Sequence, residues 1–335
     1  MKLLFLFFII IPFIHAQSDC QSCINAGNKW CATSNKCIQG AGFCVTEITK
    51  GLNCPRLPDP KYTYTDDFGR SMTPLIAAGY APKGPQDCLK NQAATVQFYK
   101  DANVTCFPEG PETTCYAYTA FDSSKKVIVL SFRGTTTLLQ TIEEIEEYFK
   151  HKTPFFDHGF VFKYFYDGFM DLWNAGIESQ VRSLKYNYPD YSVWVVGHSL
   201  GGAMASIAAS YLVQVGLFQG SDIKLLTFGQ PRTGNYDWAS WHDDTFPFSY
   251  RIVHHRDIGP HIPPQKQYES NDDFFHHRFE VWYNNKMEIG APFTICKEAD
   301  GPYCSNTQID LSGDEHPWYF DVNIIDWAAA GCPKQ

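Results

Sequence analysis

Residues 193–213 read VWVVGHSLGGAMASIAASYLV, and the character of the sequence changes in the middle of this stretch. Residues 193–196 are apolar and rich in valine, which is typical of a buried strand, whereas the residues after Gly202 are small or helix-forming. Ser199 stands at the junction, within a GxSxG pattern. The stretch predicts a sharp strand-to-helix turn that projects the serine hydroxyl from the carboxyl edge of a sheet. The alternative is a glycine turn with an incidental serine.

Strand and helix patterns alternate on both sides of this turn. Apolar residues recur at helical spacing over 159–184. Further strands are predicted at 116–121, 128–132, 224–228, 250–253 and 279–283. Strands that alternate with helices predict an α/β fold with a mostly parallel central sheet and helices on both faces. The chain of 335 residues, 44% of them apolar, is long enough to bury a sizeable core.

A serine hydroxyl becomes a strong nucleophile only when a base removes its proton, so Ser199 predicts a histidine and a carboxylate elsewhere in the chain. On folds with this turn, the acid and then the histidine follow the serine. Of the 11 histidines, only His316 lies beyond the last predicted strand, and we expect it to be the base. Asp257 follows the strand at 250–253 and precedes a proline-rich loop, and we expect it to be the acid. The remaining acids of this region are expected to lie in solvated loops: Asp243, Asp244 and those within 271–273.

We expect the other histidines near these motifs to have structural roles and not catalytic ones. We expect His198 to pack, because successive side chains at a turn diverge, and His158 to support the pocket. The pairs His254–His255 and His276–His277 could suggest a metal, but they lack the HExxH or carboxylate spacing of a metal site. We therefore predict neither a metal nor a cofactor.

The charge balance excludes one class of partner. The chain has a formal net charge of −9 and no basic run, so nucleic acid would repel it and an anionic membrane would not attract it. The apolar run at 3–14 has 12 residues, which is too short to span a bilayer. No later stretch reaches the roughly 18 apolar residues that a membrane helix needs. We expect a soluble mature protein without a transmembrane segment.

The N-terminal region predicts secretion to the extracellular space. Residues 1–16 carry Lys2, the apolar run and a small residue at Ala16, which together are typical of a signal peptide cleaved before Gln17. All 12 cysteines follow this segment, and an even number suits disulfides in an oxidising compartment. Asn103 begins the sequon Asn-Val-Thr and is a candidate for glycosylation, with an unused sequon as the alternative.

Residues 17–54 form a segment with its own composition. Six cysteines fall within 35 residues, so we expect cross-links rather than an apolar core to hold it together, and 15 pairings are open. The cysteine order loosely resembles that of the small module of plexins, semaphorins and integrins, and its partner is unknown; zinc binding is the alternative. The proline-rich connector at 55–62 predicts a boundary, with a second domain over 55–335. The other six cysteines are expected to pair among themselves, with Cys296 and Cys304 closing a short loop.

Five motifs stand in the second domain: SFRGTT at 131–136, GHSLGG at 197–202, FGQPRTGN at 228–235, RDIGPHIPP at 256–264 and HPWYF at 316–320. Together they resemble the class 3 lipases, the filamentous-fungal type of α/β-hydrolase. The resemblance implies an α/β-hydrolase fold and a triad of Ser199, Asp257 and His316. It also implies oxyanion-hole donors at the backbone N–H groups of Thr135 and Leu200. Gly259 departs from the family pattern, in which a larger apolar residue is usual, and this puts the rigidity of the acid loop in question.

Residues 136–150 place four apolar side chains on one helical stripe and four glutamates mostly on the other face. The resemblance implies that this segment is a lid helix over the serine, which would open at a lipid interface. An ordinary surface helix is the alternative. The glutamates would disfavour anionic surfaces, so a neutral lipid–water interface is the better partner.

These observations predict a secreted serine carboxylic-ester hydrolase that works through an acyl-enzyme, with an acylglycerol lipase as the first expectation. Phospholipids, feruloyl esters and short-chain esters are alternative substrates on the same triad, because the pocket and the lid set the specificity. An alternative of another class is a catalytically silent secreted binding protein. The intact triad argues against it.

Overall fold

The computed structural model describes residues 19–106, 113–135, 151–264 and 272–334. Within it the chain divides into two compact units, Met1–Pro55 and Arg56–Gln335. The predicted signal segment at 1–16 lies outside the described residues. Ser199, Asp257 and His316 all belong to the larger unit.

An eight-stranded sheet forms the centre of the larger unit, and its strands lie side by side in chain order. They are β1 (Val96–Cys106), β2 (Thr113–Asp122), β3 (Val127–Phe132), β4 (Ser192–His198), β5 (Ile223–Phe228), β6 (Ser249–His254), β7 (Glu280–Tyr283) and β8 (Thr294–Ile295). The pairings from β3 to β7 are parallel, and those of β1 with β2, β2 with β3 and β7 with β8 are antiparallel. The predicted mostly parallel sheet is confirmed.

Helices cover both faces of this sheet, as predicted. They are α1 (Asp66–Ala77), α2 (Gln86–Gln92), α3 (Lys163–Leu172), α4 (Glu178–Asn187), α5 (Leu200–Gln214), α6 (Tyr236–Thr245) and α7 (Ile324–Ala329). On one face, Trp194 and Val196 of β4 share a core with Met72 of α1 and Ile324 of α7. The side chains of β4 that alternate with these are also buried, and α5 packs on β3, β4 and β5. Successive side chains of β4 point to opposite faces of the sheet, and both faces are buried. This explains the continuous apolar run that marks β4 in the sequence.

The helical pattern at 159–184 is interrupted at two points. Phe160–Phe162 is a strand, so α3 begins only at Lys163. A π-helical turn at Trp173–Ile177 separates α3 from α4, and within it Gly176 has a φ of 141°. Apolar spacing alone did not reveal either break, since buried apolar side chains continue on both sides: Phe162 and Phe165 at the first, Leu172 and Val181 at the second. Helix α1 was also missed, although Thr65, whose side chain caps it, was a readable start signal.

Shorter elements complete the larger unit. A four-stranded antiparallel sheet contains Lys152–Pro154, Phe160–Phe162, Gly234–Asn235 and Phe274–Phe275, and a hairpin contains Trp318–Tyr319 and Val322–Asn323. Turns of 3-10 helix lie at Pro60–Tyr62, Ala78–Tyr80, Gly220–Asp222, Gly259–His261 and Cys304–Thr307. Across the described residues, no helix is both long enough and apolar enough to cross a membrane.

The smaller unit has a helix at Cys20–Asn25, a 3-10 turn at Gly51–Asn53 and a three-stranded antiparallel sheet of Lys29–Cys31, Lys36–Ile38 and Glu47–Ile48. Its cysteines pair as Cys20–Cys54, Cys23–Cys37 and Cys31–Cys44. Its buried cluster consists of Trp30, Ile48 and three of these cysteines. The expected cross-links are therefore confirmed, and Trp30 and Ile48 add a small apolar core that was not expected.

The remaining six cysteines also pair among themselves, as Cys88–Cys332, Cys106–Cys115 and Cys296–Cys304. The predicted short loop between Cys296 and Cys304 is therefore correct. The Cys88–Cys332 bond spans 244 residues and joins helix α2 to the end of the described chain. No cysteine is free within the described ranges, which contain all 12.

Candidate active site

Ser199 occupies the turn between β4 and α5 and has an unusual backbone conformation. Its φ of 60° and ψ of −132° lie in a region that residues with a side chain rarely adopt. The turn is tight: a Cβ at Gly197 would lie 2.2 Å from the carbonyl oxygen of Gly201. Helix α5 begins at Leu200, so the Leu200 N–H is one of the amide groups that lack an intrahelical partner. The predicted strand, turn and helix are therefore present around the serine.

Asp257 and His316 meet in a buried hydrogen bond, although they are 59 residues apart in sequence. Asp257 lies in the loop after β6, and its Oδ1 is 2.7 Å from His316 Nδ1. Both residues are almost completely buried. A carboxylate only accepts, so Nδ1 carries a proton, and in the neutral imidazole the other ring nitrogen, Nε2, has a free lone pair. His316 Nε2 is buried and makes no hydrogen bond in the described structure, with Ser199 or with any other residue.

The carboxylate of Asp257 accepts two further hydrogen bonds. The hydroxyl of Tyr319 lies 2.6 Å from Oδ2, and the backbone nitrogen of Gly259 lies 2.8 Å from Oδ1. Burial alone would raise the pKa of Asp257, but the positive charge that His316 carries when it is protonated and the three hydrogen bonds together lower it to about 2. Asp257 is therefore charged at neutral pH. Sequence reasoning did not assign a role to Tyr319, which stands in the motif HPWYF.

Gly259 has a steric reason for departing from the family pattern. A Cβ on this residue would lie 2.5 Å from Cε1 of His316 and 2.7 Å from its Nδ1. The imidazole therefore occupies the space that a larger residue would fill. Arg232, which is buried, also holds this loop: its backbone nitrogen donates to Ile262 O and its guanidinium donates to Pro263 O. These contacts anchor the loop at Ile262 and Pro263.

Thr135 lies in the loop after β3, which is the parallel neighbour of β4. The loop is close to the serine, since a Cβ on Gly134 would be 2.8 Å from Ser199 Cβ. Thr135 is buried, and its Oγ1 makes no hydrogen bond with any described residue. Two buried polar atoms without partners, Thr135 Oγ1 and His316 Nε2, thus belong to the residues around Ser199.

We expected His198 only to pack, but it also lies within hydrogen-bond distance of other groups. It is completely buried, its ring centroid lies 4.4 Å from that of His316, and both of its nitrogens are within hydrogen-bond distance of other groups. Burial and then the nearby His316 lower its pKa to about 3, so it is neutral. His158 stacks on Trp241 with a centroid distance of 4.4 Å. Its expected support of the pocket stays a prediction.

The expectation that Asp243 lies in a solvated loop is wrong. Asp243 is in helix α6, is only 7% exposed and forms ion pairs with Arg56 at 2.8 Å and Arg278 at 3.6 Å. Burial raises its pKa to about 6, against the lowering effect of the two arginines. These two partners could not be predicted from the sequence, because they lie 187 and 35 positions away. Asp244, the next residue, is exposed as expected, but it too lies in helix α6 and not in a loop.

Three further sequence predictions concern the glycosylation sequon, the lid and a metal site. Asn103 is exposed on β1, a strand at the edge of the sheet, and its glycosylation stays a prediction. The expected lid at 136–150 lies outside the described residues. Of the described side chains, one group of three could hold a metal by geometry, and it consists of Glu280 and the disulfide-bonded Cys296 and Cys304. Cysteines in a disulfide have no thiolate to offer a metal.

A family profile and two nematode proteins are similar to this chain. The family profile described as Lipase (class 3) matches residues 129–267. Lipase ZK262.3 of Caenorhabditis elegans is 29% identical over 293 residues, which cover 79% of this chain and 78% of that protein. The uncharacterized protein C40H1.2 of the same organism is 30% identical over 250 residues, covering 73% of this chain and 89% of that protein.

A solved structure shows the same similarity in three dimensions. The triacylglyceride lipase of Rhizomucor miehei matches with a TM-score of 0.66 and 26% sequence identity. The match covers 78% of this chain and 97% of that structure. The similarity in fold thus extends over nearly the whole of the solved protein.

Proposed function

Because this chain belongs to the class 3 lipase family, we propose that it is a secreted lipase that cleaves acylglycerol esters at a neutral lipid interface. Family membership makes it a carboxylic ester hydrolase, and the choice of acylglycerols and the secretion are the proposal. The observation that carries it is the buried Asp257–His316 hydrogen bond, which leaves a free lone pair on His316 in the same site as the strained Ser199.

In the proposed reaction, Ser199 Oγ attacks the ester carbonyl carbon while His316 Nε2 accepts the serine proton. Nε2 is the competent nitrogen because Nδ1–H is engaged with Asp257. The carboxylate stabilises the imidazolium as it forms, and its low pKa keeps it charged throughout. In a structure without substrate the bond between serine and histidine is often not formed, and we expect it to shorten when an ester binds.

The negative charge that develops on the ester oxygen needs donors that are already in place. We assign this role to the backbone N–H groups of Thr135 and Leu200, with the Thr135 hydroxyl as a third donor. The helix dipole of α5 points its positive end toward the same region. The alcohol then leaves with the proton from His316, and water repeats the sequence on the acyl-enzyme.

Active-site labelling tests the chemistry. A fluorophosphonate should label the folded protein at Ser199, and Ser199→Ala should abolish labelling and lower turnover of a soluble nitrophenyl ester by roughly 10⁴–10⁶-fold. Ser210→Ala is a matched control, because Ser210 is a buried serine of helix α5 whose hydroxyl donates to Ser206 O. Folded wild-type protein that neither labels nor hydrolyses esters would contradict the proposal and support a binding protein.

An ester series tests the substrate class. We expect turnover of emulsified acylglycerols to exceed that of phospholipid vesicles and feruloyl esters, and to rise with acyl chain length when an interface is present. Equal rates on short and long chains, or a preference for phospholipid or feruloyl esters, would reject the acylglycerol assignment and leave the hydrolase chemistry intact.

Secretion is supported by the six disulfides, since such bonds persist in oxidising compartments. Expression in eukaryotic secretory cells should release the protein into the medium with residues 1–16 removed. Treatment with an N-glycosidase should increase its gel mobility, and Asn103→Gln should remove that change. Protein retained in the cytosol with reduced cysteines would contradict the localisation.

A further inference from the structure

A buried chain of three hydrogen bonds connects the loops on the two sides of Ser199. The backbone nitrogen of Gly134 lies 3.0 Å from the hydroxyl of Tyr80, and this hydroxyl lies 2.7 Å from His198 Nδ1. His198 Nε2 lies 2.9 Å from the carbonyl oxygen of His316. Tyr80 is 8% exposed and His198 is not exposed. The chain thus begins one residue before Thr135 and ends on the backbone of the proposed base.

The direction of each hydrogen bond follows from the last one. The carbonyl oxygen of His316 only accepts, so His198 Nε2 carries the ring proton. Burial, with the nearby His316, keeps the pKa of His198 at about 3, so the ring is neutral and Nδ1 accepts. The Tyr80 O–H therefore donates to Nδ1, and the Tyr80 oxygen accepts from the Gly134 N–H. In this order the tyrosine hydroxyl both donates and accepts a hydrogen bond.

His198 is also in ring contact with the groups that hold the acid and the base. Its centroid lies 4.4 Å from that of His316 and 5.6 Å from that of Tyr319, the residue that donates to Asp257. It is covalently adjacent to Ser199. A tilt of this one ring would therefore disturb the base, the support of the acid and the oxyanion loop together.

We propose that Tyr80 and His198 are positioning residues, which set the spacing between the oxyanion loop at Thr135 and the base His316 without touching the substrate. This inference rests on the proposed function, because it assigns the pair a role in the same reaction. Loops from distant parts of the sequence have no covalent reason to stay aligned, and a misplacement of about 1 Å costs roughly 10²-fold in rate. The hydrogen-bond chain supplies that alignment.

The first test is Tyr80→Phe, which keeps the ring and removes the hydroxyl. For a soluble short-chain ester we expect kcat to fall roughly 10–100-fold, with KM changed less than about twofold, because the lost alignment acts on the transition state. Tyr118→Phe is the matched control: Tyr118 is fully buried and its hydroxyl donates to Leu75 O at 2.5 Å. It should lose stability in thermal unfolding without losing kcat.

A double-mutant cycle tests whether the two residues act together. His198→Asn retains an oxygen that can accept from Tyr80 but does not reach His316 O, so we expect it to lower kcat by itself. In the double variant Tyr80→Phe/His198→Asn, the loss should be about that of the worse single variant, since both break one chain. If the fold loss in kcat of the double variant equals the product of the two single losses, the proposal is overturned.

The outcomes separate this inference from the proposed function. Wild-type protein that neither labels with fluorophosphonate nor hydrolyses esters would remove the function itself, and the inference with it. Active wild-type protein in which Tyr80→Phe stays within twofold of its kcat would overturn the positioning role alone. A kcat loss in Tyr118→Phe as large as that in Tyr80→Phe would do the same, because it would mark a general effect of losing a buried hydroxyl.

Discussion

Single atoms decide the geometry around Asp257. Its carboxylate accepts from His316, Tyr319 and Gly259, and the absence of a Cβ at Gly259 leaves room for the imidazole. Chain order predicted Asp257 as the acid and His316 as the base, and the structure joins the two in a hydrogen bond. The sequence did not reveal Tyr319 or the steric need for Gly259, because the first depends on the distance of Tyr319 from Asp257 after folding and the second on the position of His316.

Gly259→Ala should displace His316. The new methyl carbon would lie 2.5 Å from Cε1 and 2.8 Å from the carbonyl oxygen of Gly229, so the ring or the loop must shift. We expect kcat for a soluble ester to fall by roughly 10²-fold, as a shift of about 1 Å would produce. Gly79→Ala is the control, since its Cβ would meet nothing closer than 3.5 Å. Equal activity in both variants would contradict the steric role.

Asp257 should also make stability depend on pH in the acid range. Its pKa is about 2 in the folded protein and 3.8 as the ordinary value, so its contribution is present above pH 3.8 and is lost as the pH falls toward 2. The contribution is about 2 kcal/mol. The free energy of unfolding, measured with urea between pH 5 and 2, should fall less steeply with pH in Asp257→Asn than in wild type. Asp244→Asn changes an exposed aspartate and is the control, which should follow wild type. Identical slopes in all three proteins would contradict this link.

At the scale of elements, the turn between β4 and α5 was the most predictable part of the molecule. Local sequence determines it, because β-branched residues favour the strand and the glycines permit the tight turn. The break between α3 and α4 at Gly176 was missed, since a kink leaves the apolar pattern nearly unchanged. The pairing of the cysteines in the smaller unit was also left open, because composition does not distinguish 15 arrangements.

The length of the loop that each disulfide closes predicts its contribution to stability. Cys88–Cys332 spans 244 residues and Cys296–Cys304 spans 8. By the loss of chain entropy in the unfolded state, these correspond to about 5 and about 2–3 kcal/mol. Replacing both cysteines of Cys88–Cys332 by alanine should lower the Tm more than the same change at Cys296–Cys304. A similar Tm loss for both pairs would show that native contacts, and not chain entropy, dominate.

At the scale of the whole molecule, charge governs which surfaces the protein approaches. The formal net charge of −9 repels anionic lipid at distances up to the Debye length, which is about 10 Å at 0.1 M salt. Neutral lipid carries no such repulsion. The proposed preference for a neutral interface therefore has a second basis in the summed charge, besides the four glutamates of the expected lid at 136–150.

Emulsions of different charge test this preference. At about 10 mM salt we expect hydrolysis of a neutral acylglycerol emulsion to be roughly 10-fold faster than that of the same emulsion doped with anionic phospholipid. The difference should shrink at about 1 M salt, where the Debye length is about 3 Å. Turnover of a soluble uncharged ester serves as the control and should not change with the lipid. A faster rate on the anionic emulsion would reject the electrostatic argument.

The sequence by itself determined the α/β class, the serine at its turn, and the choice of Asp257 and His316, because strand periodicity, turn chemistry and chain order are local or ordinal properties. Only the tertiary structure decided which atoms surround these groups. Tyr80 meets His198 across 118 positions, Tyr319 meets Asp257 across 62, and Asp243 meets Arg56 inside the fold rather than in solvent. The physical reason is that hydrogen bonds and burial depend on distances in space, and packing of the two layers of helices on the sheet sets those distances.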